Sequence, residues 1–183
     1  MLNEISRNLD YRWKFLQIET IALENWKSYE TTSRVWNKNA VAWLLRHTQN
    51  QSYILIQQYR YPVKAKVLEL VAWLIDKDGK TREQILTEEI NEETWFYDVW
   101  KIEFLTNVTW SAWKSSELTS LYDVEISGNK TSQNLWEMED IEVLEIEYND
   151  FDKFLLSKVK EGILIDPKVC MAIYMTLSKV KII

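Results

Sequence analysis

The 183-residue chain holds only three glycines, two prolines, one cysteine and one histidine. Each scarcity excludes something. The single Cys170 rules out an internal disulfide and suits a reducing, cytoplasmic setting. One His and one Cys cannot build a His/Cys zinc site within one chain. A Ser-His-Asp triad would have to use His47, in "LLRHTQNQS", which reads as a loop ahead of a strand. No apolar run approaches the roughly 18 residues that span a bilayer, so no membrane partner is expected. The opening "MLNEISRNLDYR" carries early charge and no apolar stretch, so a signal peptide is not expected. A basic footprint is missing too, and the net charge of −6 argues against nucleic acid as a partner. What is left for chemistry is carboxylate, acting alone or through a hard cation.

Apolar residues make up 46 % of the chain, enough for one domain with a sizeable core. Tryptophan is as abundant as glycine is scarce. Average glycine usage of about 7 % predicts about 13 in this length. The chain has 3 Gly and 10 Trp, which together make 13. Several of the Trp stand in turn-like surroundings, such as "LENWKSYE" and "ETWFYDVWK", where a large ring has no packing reason to be.

Along the chain, residues 12–35 read as a strand, a turn at Asn25–Trp26 and a second strand. "NAVAWLLR" and "SYILIQQYR" are β-rich runs joined by the polar "HTQNQ", and "KVLELVAWLI" is a further apolar run. From Thr81 to Thr94 the pattern turns helical, with Ile85, Leu86 and Ile90 near one face. Strands are expected at 99–108, 118–126 and 141–147. A helix follows in "DFDKFLLSKVKEG", with Gly162 as its C-cap. A last helix begins at "DPK", with proline in its first turn.

The helix at 81–94 gathers Glu88, Glu89, Glu92 and Glu93. Residues four apart are neighbours on a helix, so Glu89 and Glu93 form one pair and Glu88 and Glu92 another. Such pairs repel. They describe either a solvated acidic face or a divalent-cation site, because Mg²⁺ takes a few carboxylates together with substrate phosphates. The segment "LELVAWLIDKDGKTREQILTEEINEETWF" resembles the Nudix box, Gly-x5-Glu-x7-Arg-Glu-U-x-Glu-Glu-x-Gly-U, where U is a bulky apolar residue. Glu89, Ile90, Glu92, Glu93 and Phe96 match it. The arginine position holds Glu88 and the first glutamate position Lys80, so a salt bridge of the family would survive here with both signs reversed. Trp73 and Trp95 stand at the two glycine positions.

The resemblance continues outside the box. "YILIQQYRYPVKAK" is similar to the strand and loop before the box in ADP-ribose pyrophosphatases, which places a substrate-binding arginine at Arg60. "TWSAWKSSE", ending in Glu117, resembles that subfamily's Pro-Gly-x-Ser-x-Glu stretch, and "KEGILIDPK" its Gly-x-Ile-x-Asp segment. "WEMEDIEV" resembles an acidic loop carrying the general base, which would be Glu137 or Glu139.

The resemblance implies an α+β fold: an α/β/α sandwich with a mixed central sheet and a catalytic helix after the box loop. Residues 1–38 would supply N-terminal antiparallel strands for dimerisation and substrate contact, and residues 39–183 the hydrolase domain. It implies Mg²⁺, with Mn²⁺ as a substitute, held by Glu89, Glu93 and Glu92 and by the Ala72 carbonyl. Arg60, Arg34 and Glu117 would bind substrate, and Glu137, Glu139 and Glu92 would serve catalysis. The implied reaction is hydrolysis of ADP-ribose to AMP and ribose 5-phosphate by a homodimer acting on a small nucleotide. Two alternatives stay open: a Nudix-fold binding module without catalysis, and hydrolysis of nucleotide sugars or dinucleotides.

Trp73, Trp95, Trp110 and Trp136 all stand where the family tends to have glycine. Trp13, Trp26, Trp36, Trp100 and Trp113 sit at turn-like points, and Trp43 is less clear. Our hypothesis is an alternative genetic code, with UGA codons that mean glycine in the source lineage written as tryptophan. UGG codons at these positions in the source gene would contradict it.

Overall fold

The computed structural model describes residues 2–35, 39–74, 84, 90, 98–128 and 141–178. Strands β1 (Glu4–Arg12), β2 (Leu16–Leu23) and β3 (Ser28–Arg34) form an antiparallel sheet of their own, in that order. Strands β2 and β3 and the turn at Trp26 match the reading of residues 12–35. Strand β1 was not legible, because every one of its nine residues is exposed and its sequence carries no alternation.

The remaining strands build a mixed eight-stranded sheet: β4 (Ala40–His47), β5 (Ser52–Arg60), β6 (Ala65–Glu69), β7 (Val71–Leu74), β8 (Asp98–Thr109), β9 (Leu118–Ser127), β10 (Ile141–Glu147) and β11 (Leu164–Ile165). β4 runs parallel to β9 over its full length, and β11 runs parallel to β6. The other pairings are antiparallel. The apolar run at 66–75 is two strands and not one. The chain breaks at Leu70, leaving β6 on β5 and β7 on β4.

The sheet is buried on both faces, as its near-continuous apolar runs require. Successive residues of a strand face opposite sides. Val41, Trp43 and Leu45 therefore enter one core with Ile54, Ile56, Val71, Val124 and Ile126. Ala42 and Leu44 enter the other, with Leu55, Leu68, Leu70 and Leu121. Ile90, helical and fully buried, seals the first core. Ile85 and Leu86, expected on the same helix face, lie outside the described residues. Helices α1 (Phe151–Lys160) and α2 (Pro167–Ser178) seal the second core through Phe151, Val169, Ala172 and Ile173. Each such side chain contributes roughly 1.5–3 kcal/mol when fully buried.

Gly162 ends α1 as expected. Its φ of 79° lets its N–H reach the Val159 carbonyl at 3.1 Å while the Ile163 N–H reaches Lys158 at 3.0 Å, the paired bonds of a Schellman close. At α2, Asp166 precedes Pro167 and accepts from the Lys168 N–H at 2.8 Å, capping the helix. His47, expected in a loop, is instead a buried residue ending β4. Its Nδ1 accepts from the Asn50 N–H and its Nε2 bonds the Gly128 carbonyl, both at 3.1 Å, so it ties loops to the sheet.

Two groups of described tryptophans contrast, with Trp110 between them at 40 % exposure. Trp43 is core, 1 % exposed. Trp73, at a glycine position of the resembled box, lies in β7 with its ring packed against the first core. By contrast, Trp13, Trp26, Trp100 and Trp113 are largely exposed. Trp100 falls at the register shift between Val99 and Lys101, a bulge. Trp26 is the one described tryptophan with positive φ, at 67°, and it is 100 % exposed. The Trp26 N–H closes a turn on the Leu23 carbonyl at 3.1 Å, and Lys27 resumes pairing with Leu23. This is a three-residue hairpin connection whose last position is left-handed, the position that favours glycine.

A left-handed non-glycine residue costs about 1–2 kcal/mol. Trp26→Gly should therefore raise the melting temperature by about 2–8 °C. Trp43→Gly, which empties the core, should lower stability by about 3–5 kcal/mol. Differential scanning calorimetry of both variants checks this pair. Equal losses in the two would mean that Trp26 has stabilising contacts.

Candidate functional site

Where β6 and β7 part at Leu70, a cavity of about 670 Å³ opens. Four of the site residues expected from the sequence border it: Arg34, Arg60, Ala72 and Glu117. They come from β3, the end of β5, β7 and the segment before β9. Lys80, Glu88, Glu89, Glu92, Glu93, Glu137 and Glu139 lie outside the described residues.

Each arginine is aimed by a carboxylate. Gln58 and Arg60 lie two residues apart on one face of β5, so both reach Glu69 across the β5–β6 ladder. The Arg60 Nε–H donates to Glu69 at 2.9 Å and the Gln58 amide at 3.1 Å. On the far wall, the Thr32 N–H donates to the Lys114 carbonyl at 2.8 Å, and the Ser116 N–H donates to the Thr32 carbonyl at 3.1 Å. This clamp brings the end of β3 against the segment entering β9. Arg34 there donates through Nε to Glu117. Both pairs are half-buried, where charge-assisted bonds exceed the small value of a solvated ion pair.

A third charged pair borders the same cavity, and the sequence reading missed it. Lys168, on the first turn of α2, places Nζ 2.5 Å from Asp166 Oδ2 and 3.3 Å from the centre of the Trp110 ring. Burial pushes its ammonium below the usual lysine range, against the opposing pull of Asp166. Glu69 was missed as well. A lysine at the start of an exposed helix reads as solvated, and a lone glutamate ending a strand carries no motif. The remaining wall is apolar, from Val63, Val67, Leu164 and Ile165. A cleft of this size, apolar with a few convergent cations, is the usual form of a small-molecule site. Its chemistry suits an anion attached to a flat or apolar group.

No family model matches the chain. A curated protein, the methanol dehydrogenase activator of Bacillus methanolicus, is 26 % identical over 161 residues, 86 % of this chain and 82 % of that protein. A solved structure of an ADP compounds hydrolase superposes with a TM-score of 0.73 at 16 % identity, covering 98 % of this chain and 94 % of that one. At such identity the likeness concerns the fold, and the chain has the α+β Nudix fold. No helix among the described residues is long and apolar enough to cross a membrane.

The Arg34–Glu117 pair joins the N-terminal sheet to the cavity wall. Arg34→Met and Glu117→Gln should each destabilise the protein, and the double variant should lose less than their sum. The expected coupling is on the order of 0.5–3 kcal/mol by urea unfolding. Strict additivity would mean that the two side chains do not meet in solution.

Proposed function

We propose that the chain is a Mg²⁺-dependent Nudix pyrophosphohydrolase that cleaves ADP-ribose, or a related nucleoside diphosphate derivative, to AMP and ribose 5-phosphate. One observation carries this reading. Arg34, Arg60, Ala72 and Glu117, named from separate stretches of the sequence, meet around one cavity whose cations suit a diphosphate and whose apolar wall suits a base or sugar. The relative named an ADP compounds hydrolase lends it support at the level of fold.

The proposed carboxylate ligands Glu89, Glu92 and Glu93 lie outside the described residues. Among the described residues no cluster of three or more His, Cys, Asp or Glu could hold an ion. The fit therefore rests on Ala72, whose strand borders the cavity and whose carbonyl is a hard oxygen donor of the kind Mg²⁺ takes. When bound, Mg²⁺ would offset the charge of the diphosphate and lower the pKa of an attacking water. In this reading Arg60 and Arg34 hold phosphoryl oxygens, Arg60 through a fork of donors that Glu69 keeps turned toward the cavity. Glu137 or Glu139 accepts the proton of the water.

The reading includes a homodimer. Tyr11, Trp13, Phe15, Leu16 and Ile18 leave an apolar hollow of about 390 Å³ on the N-terminal sheet, a surface that a second copy would cover. Light scattering at micromolar protein should give twice the chain mass of 22.0 kDa. A monomer would remove this part of the reading and leave the chemistry standing.

Glu93→Gln keeps the side-chain shape and removes its charge. It should abolish Mg²⁺-dependent release of AMP from ADP-ribose while the circular dichroism and melting temperature stay within error of the parent. Turnover at the parental rate would show that the site is misassigned. A parent that turns over nucleotide sugars or dinucleotides but not ADP-ribose would move the substrate and keep the class.

A further inference from the structure

Among the described residues the cavity has three cations, and Lys168 differs from the other two. The side chains of Arg60 and Arg34 are 45 % and 32 % exposed, and that of Lys168 is 11 % exposed. Three physical terms disfavour an ammonium in this place. Burial removes its hydration. It stands on the first turn of a 12-residue helix, whose positive end repels cations. Arg60 adds a like charge nearby.

Its neighbours do not need it. Asp166 already caps α2 by accepting from the Lys168 backbone N–H. Trp110 is held through its own Nε1–H, which donates to Thr119 Oγ1 at 3.3 Å. A methionine would fill the same volume without the electrostatic cost. An ammonium has three donors. Here one goes to Asp166 and the Trp110 ring takes a second, and among the described residues nothing accepts the third. The group lines the cavity, with Arg60 and Glu69 close enough to act on its charge.

We propose that Lys168 is a phosphate-binding residue of this cavity, donating its remaining N–H to a phosphoryl oxygen of the bound nucleoside diphosphate while Asp166 and the face of Trp110 hold the ammonium in place. The inference rests on the nucleotide reading of the cavity and adds a contact to it. Because Lys168 is already stripped of water, it loses little hydration when the anion arrives, and its field in the partly dry cleft is stronger than that of the exposed arginines. The phosphate adds a second directly bonded anion beside Asp166, where Glu69 acts only through space.

The test is calorimetric titration of the full chain, without metal, using ADP as the anionic probe and adenosine as its uncharged counterpart. Lys168→Gln and Lys168→Met should weaken ADP binding by about 10- to 100-fold, the worth of one charge-assisted bond. Adenosine binding should stay unchanged, and Lys168→Arg should restore most of the ADP affinity. ADP binding within twofold of the parent in both neutral variants would overturn the proposal and leave the nucleotide reading intact. Parallel loss of ADP and adenosine binding in both would assign Lys168 to packing and also overturn it. A parent that binds neither probe would remove the nucleotide reading itself, and the proposal with it.

Discussion

The whole arrangement depends on β4 and β5 pairing over only three rows, Leu45 with Ile54, Arg46 with Tyr53 and His47 with Ser52. Beyond those rows the strands separate, and each needs a new partner for the exposed edge of its backbone. A single stretch of chain supplies both. Residues 65–69 satisfy the edge of β5, and residues 71–74 satisfy that of β4. Leu70, fully buried between them, is the corner on which the split turns. A continuous sheet would have no cleft there. With the split, the chain has a cavity walled by ordered strands, and residues far apart in sequence reach it from fixed backbone positions.

That geometry also explains the electrostatics. To recognise an anion, as proposed above, a protein of net charge −6 must gather cations locally and keep its own carboxylates from cancelling them. Here the carboxylates aim the cations. Glu69 orients Arg60, Glu117 orients Arg34, and Asp166 holds Lys168. Each carboxylate lies on a regular element or directly beside one, so the donors are placed before any ligand enters and little side-chain entropy remains to be lost on binding. The same pairing keeps the empty cleft from concentrating positive charge.

The sequence made the regular parts legible and the irregular ones not. Runs such as "NAVAWLLR" and "SYILIQQYR" announced buried strands because apolar residues occupy both faces. Gly162 and Pro167 announced helix ends because their backbone preferences are narrow. Arg60 and Glu117 were found through motif resemblance, Arg34 and Ala72 as site residues the resembled family implies, and none of them through a local pattern. Strand β1 escaped because an edge strand exposed along its whole length needs no apolar alternation. The break at Leu70 escaped because an apolar run that changes partners looks the same as one that does not. Lys168 escaped for the opposite reason: its type and position match a solvated residue, and only the fold turns it inward.

The tryptophans show how much a scaffold tolerates where its core is secure. In the three-residue turn after β2, the bonds from Trp26 to Leu23 and from Leu23 to Lys27 fix a left-handed last residue whatever its side chain is. The indole cannot relieve this by moving the backbone without unpairing β2 from β3, so it accepts the strain and projects into solvent. At the β8 bulge, Trp100 is likewise exposed, since one surplus residue in the ladder needs somewhere to point. Trp110 is different. Its ring lies on Lys168 in the cavity wall, so a residue without a side chain there would leave the ammonium held by Asp166 alone and open the cleft beside it. Trp43 and Trp73 differ again, because their rings fill core that glycine would leave empty. One residue type thus carries strain, exposure, ligand-site shape and packing at different positions, and the backbone at each position decides which.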